Sequence, residues 1–204
     1  MFEVIKSGGI FMIPIILCGI FATYIIIERF IYFKKMKQVN KNFLFEVKAA
    51  MALKDGDKIT QLCKETETSL AKVLLKTIEC RSYNENDARE LIDNEINRQM
   101  PLLERYMTSL GTIANISTLL GLLGTVTGNI SAFGVLGAGG TMGNPALLAG
   151  AISEALITTA GGLLVSIPSL IFYNYFASRI NKYAAEMDSE SLDLFVKIKK
   201  GSTK

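Results

Sequence analysis

From Tyr106 to Ser178 the chain runs for 73 residues with one charged side chain, Glu154. The whole sequence is 204 residues long and 20% charged, so an even spread would put roughly 15 charges in that interval. A soluble core cannot be so long and so free of charge, and the stretch reads as membrane-spanning. It is too long for one span. The run Gly134-Val-Leu-Gly-Ala-Gly-Gly-Thr-Met-Gly-Asn-Pro145 divides it. Two helices are expected, one over about Leu110 to Phe133 and one with Asn144 as N-cap and Pro145 at its first helical position, continuing to about Ser178.

Another span precedes these. Between Lys6 and Glu28 lie 21 uncharged residues, about 30 Å of helix and one hydrocarbon thickness. Glu28-Arg29 with Lys34, Lys35 and Lys37 forms a basic stop. No A-x-A site follows the stretch and no small residue precedes Cys18, so it is expected to be retained rather than cleaved. Lys and Arg crowd the end of the first span, the start of the second (Arg98, Arg105) and the end of the third (Arg179, Lys182), whereas residues 134–146 carry no charge. By the positive-inside rule the N-terminus and the Gly-rich loop face out, and residues 34–105 and 179–204 face the cytoplasm.

The expected fold is therefore all-α: a polytopic membrane protein with three transmembrane helices, the second and third long and extending into a cytoplasmic helical region. Its parts are 1–33 (outward N-terminus and first span), 34–105 (cytoplasmic helices), 106–178 (second and third spans with the loop 134–146) and 179–204 (cytoplasmic C-terminal helix). Segment 34–105 carries 14 Lys/Arg and 12 Asp/Glu, the balance of a soluble region. Val39, Phe43, Val47 and Ala50/Met51 form a helical stripe that Asp55-Gly56 ends, and Leu70, Val73/Leu74 and Ile78 form another. Ala88, Leu91/Ile92, Glu95/Ile96, Leu103, Tyr106/Met107 and Leu110 keep helical spacing into the second span, which predicts one rod kinked at Pro101. The tail repeats the spacing with Tyr183, Met187, Leu194/Phe195 and Ile198.

Composition removes whole function classes. There are no His and no Trp, which excludes imidazole metal sites and His-based triads. A net charge of +3 is too small to argue for nucleic acid. Cys18 lies in an apolar run and Cys63 and Cys80 in a charged segment without a C-x-x-C, so all three read as reduced structural thiols. No metal and no cofactor is expected.

At about 100° per residue the second span separates into three faces. Asn115, Thr118, Thr125 and Asn129 make a polar stripe; Ser117, Gly121, Gly124, Gly128 and Ser131 a small one; Ile116, Leu119, Leu123, Ile130 and Phe133 a greasy one. Small residues let helices approach closely, and Gly124-x-x-x-Gly128 fits that use. Single hydroxyls in a span often bond only the carbonyl one turn back, but four polar residues on one face point to a wet or inter-helix surface.

On the third span Thr158 and Gly161 fall within about 40° of Glu154, some two turns in from the outer end. A carboxylate there costs about 2.5–3.5 kcal/mol on insertion scales, and no intramembrane Lys or Arg neutralises it. Such a group is protonated part of the time or faces water, and so can carry a proton; the plainer reading is a hydrogen-bonded staple to a neighbouring helix. Pro168, deeper in the same helix, reads as a tolerated kink.

At these residues the sequence resembles the MotA/TolQ/ExbB family of bacterial inner-membrane motor subunits, most closely its ExbB/TolQ branch. The resemblance rests on Leu120-Gly-Leu-Leu-Gly-Thr-Val126 followed by Phe133, on Gly150-Ala-Ile-Ser-Glu154-Ala-Leu-Ile-Thr-Thr159 running on to Ile167-Pro168 and Tyr173-Asn174, and on Glu28-Arg29. It implies a homopentamer in membrane lipid whose second and third helices line a pore. That pore would hold the single spans of an ExbD- or TolR-like partner, with work passed to a TonB- or TolA-like protein. It carries pore-facing roles to Thr125, Glu154 and Thr159. Thr159 lies about 140° from Glu154 on the wheel, so Thr158 is the candidate of helical geometry. Gly121, Gly124, Gly128 and Gly161 are the helix-packing candidates. This chain departs from the family at Ser117-Thr118, where Ala-Pro is common, and at Asn129, where an apolar residue is usual; the extra hydroxyls leave sodium open beside the proton.

The expected function is an ExbB-like proton-conducting motor subunit, not an enzyme. A TolQ-like role in envelope maintenance and a passive scaffold with a structural Glu154 are the alternatives. A flagellar stator subunit is disfavoured by three spans where that branch has four, and a secondary transporter by the lack of an inverted repeat.

Overall fold

The computed structural model describes residues 8–53, 55–137 and 145–201. Among these, every regular element is a helix. They are α1 (Met12–Ala52), α2 (Gly56–Glu65), α3 (Ser69–Glu79), a 3-10 turn (Cys80–Ser82), α4 (Glu85–Leu103), α5 (Met107–Gly137) and α6 (Pro145–Gly201). Helices α1, α5 and α6 are long and apolar enough to cross a membrane. Phe21, Leu119, Phe133 and Leu164 stand exposed on them, a surface that suits lipid and that water would penalise. The chain is thus an all-α protein with three membrane-crossing helices, as the hydropathy pattern requires. The third begins at Pro145. Its expected cap, Asn144, lies outside the described residues, as do loop residues 138–144 and Lys6 ahead of the first span.

The described residues pack as two units, one within Met1–Glu28 and Tyr106–Tyr175, the other within Arg29–Arg105 and Phe176–Lys204. In the first, apolar unit, α6 is antiparallel to α5, with Gly111 against the Tyr173 ring, Gly121 against Thr159 and Gly128 against Ala155. The head of α1 runs along α6 in the same sense, Met12 facing Gly161 and Gly19 facing Val165.

The second, charged unit has a core that water-driven burial explains. Val47, Ala50, Leu70, Ala71, Val73, Leu74, Ile92 and Leu194 are all essentially excluded from solvent. The Phe33 ring stacks on Phe176 at 5.7 Å and on Tyr183 at 5.9 Å, tying α1 to the far part of α6. Arg29, 1% exposed, lies 4.6 Å over the Tyr32 ring and reaches the Leu103 carbonyl from Nη1 at 3.4 Å. A guanidinium so covered needs both kinds of partner to offset its lost hydration.

Local chemistry sets the helix ends. Asp55 Oδ1 accepts from the Lys58 amide at 3.0 Å, Thr68 Oγ1 from Ala71 at 3.3 Å and Asn84 Oδ1 from Asp87 at 2.8 Å, each satisfying an amide left open in a first turn. Asp55-Gly56 therefore does more than end the first stripe. It starts α2, a helix the sequence reading did not separate.

The single rod expected from Ala88 into the second span does not form. Helix α4 ends at Leu103 with Pro101 still inside it, and α5 starts at Met107. Between them Tyr106 takes φ 65°, a left-handed conformation that costs a non-glycine residue about 1–2 kcal/mol. Apolar spacing survived the interruption because Leu103, Met107 and Leu110 remain three or four residues apart, so periodicity could not register it.

Candidate functional site

The apolar unit assembles its polar groups where helices approach most closely. A Cβ on Gly121 would stand 3.2 Å from Thr159 Cα, and one on Gly128 would stand 2.5 Å from Ala155 Cβ. Gly124 lies against the Thr158 side chain. Gly162, which the sequence reading passed over beside Gly161, is as tight: a Cβ there would be 2.5 Å from the Ser117 carbonyl. Both partners of the α5/α6 seam thus lack side-chain bulk, which brings the two backbones within reach of short hydroxyls.

Those hydroxyls pair across the seam. Thr125 Oγ1 lies 2.8 Å from Thr159 Oγ1, and Thr159 also donates to the Gly121 carbonyl at 2.8 Å. Thr118 donates to Ser166 Oγ at 2.7 Å. Ser117 Oγ, fully buried beside this second pair, has no partner. Asn115 and Asn129, on the same stripe as Thr118 and Thr125, are exposed.

Glu154 and Thr158 turn toward the head of α1, with the Thr158 methyl still in the α5/α6 seam against Gly124. Thr158, 1% exposed, donates to the Gly8 carbonyl at 2.7 Å and to its own helix at Glu154 O, 2.8 Å. Its hydroxyl is engaged with the head of α1, and Thr159, one residue on, meets α5. The Glu154 side chain folds against Gly9, yet the residue stays exposed. Gly161 is covered by Met12, whose sulfur would be 3.0 Å from a Cβ there. The structure therefore joins Thr125 with Thr159, places Glu154 and Gly161 under the head of the first helix, and sets Thr158 between the two, its hydroxyl on Gly8 and its methyl on Gly124 of α5.

These features define an integral membrane protein in which a glycine- and hydroxyl-lined helix pair stands beside one intramembrane acid, the class to which ion-conducting helical subunits belong. The chain is a member of the MotA/TolQ/ExbB proton channel family, whose profile matches residues 65–189. It is 30% identical to the biopolymer transport protein ExbB-like 3 of Synechocystis sp., over 84% of this chain and 82% of that one. It is 27% identical to the biopolymer transport protein ExbB of Neisseria meningitidis, over 93% and 90%. With the Tol-Pal system protein TolQ of Haemophilus influenzae it shares 40% identity over 46% and 40%.

Proposed function

We propose that this chain is an ExbB-like motor subunit of a bacterial inner membrane. In this reading it works as a homopentamer, with its N-terminus periplasmic and its C-terminus cytoplasmic. Helices α5 and α6 surround the single spans of an ExbD-like partner, and proton flow drives work on a TonB-like protein for outer-membrane transport. The work is ion translocation and requires no covalent chemistry. Glu154 is the proton carrier, with Thr125 and Thr159 on the pore side. The observation that carries the reading is the isolation of Glu154, the one charge in 73 residues, on a helix whose other face is closed by paired hydroxyls. Family membership supports the proton as its cargo. Each charge moved through 100 mV releases about 2.3 kcal/mol, so a few protons can drive a conformational step.

The match to a TolQ favours a second reading, a TolQ-like subunit acting through TolR- and TolA-like partners in envelope maintenance. One experiment tests what the two share. Glu154→Gln, expressed with the partner genes in cells lacking their own copy, should abolish proton-driven uptake or envelope integrity while assembly stays intact. Full activity in that variant would make Glu154 a structural staple and the chain a scaffold.

A further inference from the structure

We infer that Gly9 is a positioning residue for Glu154: the Gly8-Gly9 turn at the head of α1 is a seat that holds the carboxyl and closes it off on the first-helix side. The inference rests on the reading of Glu154 as the proton carrier.

Three contacts build the seat. The Gly8 carbonyl accepts from Thr158, one turn along α6 from Glu154, at 2.7 Å. Met12 packs its sulfur on Gly161, one turn further. Between these anchors Gly9 takes φ +65°, and Glu154 Oε1 occupies the place where a Cβ on Gly9 would stand, with Cδ 3.0 Å from that point and Cγ 3.5 Å. The Gly9 carbonyl accepts from the Met12 amide at 3.2 Å, which fixes the turn to the helix that follows. A left-handed backbone alone would admit Asn or Asp as well as Gly. The carboxyl lying across this one removes every side chain. A glycine serving only to start a helix has no need of an acid above it, and the occupant here is the one acid of two otherwise uncharged spans.

The seat has a consequence for exchange. A carboxyl held against backbone on one side can pass its proton only on the other, and Glu154 keeps the exposed surface that this requires. Gly9 thereby sets the direction in which the carrier is open, from a position 145 residues away in sequence.

The test uses the full chain with its partner proteins, and reads proton-driven uptake together with the infrared band of the Glu154 carboxyl, assigned by difference from Glu154→Gln and followed against pH. Gly9→Ala should lower uptake about tenfold or more and shift the pH midpoint of that band, since small misplacements of a reacting group are costly. Gly134→Ala is the control, because a Cβ there has nothing within 4 Å and the residue takes no part in the seat; uptake should stay within about twofold. Glu154→Asp, one methylene shorter, should restore function or assembly in the Gly9→Ala background, which relief of backbone strain alone would not do. Wild-type uptake and midpoint in Gly9→Ala, or a double variant no better than Gly9→Ala, overturns the seat. Uptake retained in Glu154→Gln would instead overturn the carrier reading, while the band midpoint would still report whether Gly9 holds the carboxyl.

Discussion

Thr125 and Thr159 face each other across the α5/α6 seam with their hydroxyl oxygens 2.8 Å apart. Thr159 has one proton and several acceptors in range: Thr125 Oγ1, the Gly121 carbonyl at 2.8 Å and the Ala155 carbonyl at 3.2 Å. The pair can therefore reorient without losing all of its bonds, a property a single back-bonded hydroxyl lacks. Thr118 and Ser166 repeat the arrangement seven residues away on both helices. Seven residues are about two turns, so the two pairs stand in register on adjacent antiparallel helices.

Replacing either hydroxyl by the isosteric Val separates structure from function. Hydrogen bonds between membrane helices contribute about 0.6 kcal/mol on average, so Thr125→Val should barely move thermal unfolding in detergent. Thr159→Val, which also removes a donor from the Gly121 carbonyl, should lower stability by about 1 kcal/mol. If the pair borders the ion path, uptake should fall about tenfold in both variants at unchanged protein level. Uptake that merely tracks the small stability changes would make the pair packing and nothing more.

Gly128 is one of the tightest points of the seam, since a Cβ there would stand 2.5 Å from Ala155 Cβ and 3.1 Å from the Ala151 carbonyl. Gly128→Leu should part the helices and cost about 3 kcal/mol or more, seen as lost assembly or a large fall in unfolding temperature. Gly134, near the end of the same helix, has nothing within 4 Å of a Cβ. Gly134→Ala should be neutral or stabilising by up to about 1 kcal/mol. Equal tolerance at the two positions would show that the close approach is not what holds the pair.

How much of this was legible in the sequence follows from what a periodic pattern can encode. The spans were readable because lipid forbids charge over a whole helix, and the glycine stripe because close approach forbids side chains on one face. A helical wheel orders the faces of one helix but does not say which neighbour each face meets. Helix α6 has α5 on one side and α1 on another, so the Thr158 hydroxyl bonds the head of α1 while its methyl packs on Gly124 of α5, and the Thr159 hydroxyl pairs with Thr125. Gly9 carried no signal at all, because its constraint comes from Glu154 rather than from nearby sequence. The Tyr106 break was hidden by apolar spacing that runs straight through it.

Cys63 tests burial in the charged unit. It is 3% exposed, and burial pushes its thiol up to about 11. At pH 8 about one molecule in a thousand would carry the thiolate that reacts. Cys80, 1% exposed, is also raised, first by burial and less by Glu79, against a lowering pull from Lys76. Iodoacetamide at pH 8 followed by mass spectrometry should leave both unlabelled in the native protein and label both after denaturation. Rapid native labelling of Cys63 would mean that the unit opens on the timescale of the reaction.

Glu186 gives the unit a pH dependence whose sign is fixed. Its carboxyl is raised chiefly by burial and further by Glu190, with Lys48 opposing; Lys48 itself is engaged with Glu190 at 2.6 Å. A carboxyl raised in the folded state binds more protons folded than unfolded between its two pKa values, so stability falls as pH rises through that interval and stays lower above it. The interval opens in the ordinary glutamate range, near about 4.3. Glu186→Gln cannot ionise and no longer repels Glu190. Its unfolding temperature in detergent should exceed that of the wild type at pH 7, and the gap should close as pH falls below the ordinary glutamate value. A gap that persists unchanged at low pH would place the effect in packing, and a variant less stable at pH 7 would mean that attraction to Lys48 outweighs both burial and Glu190.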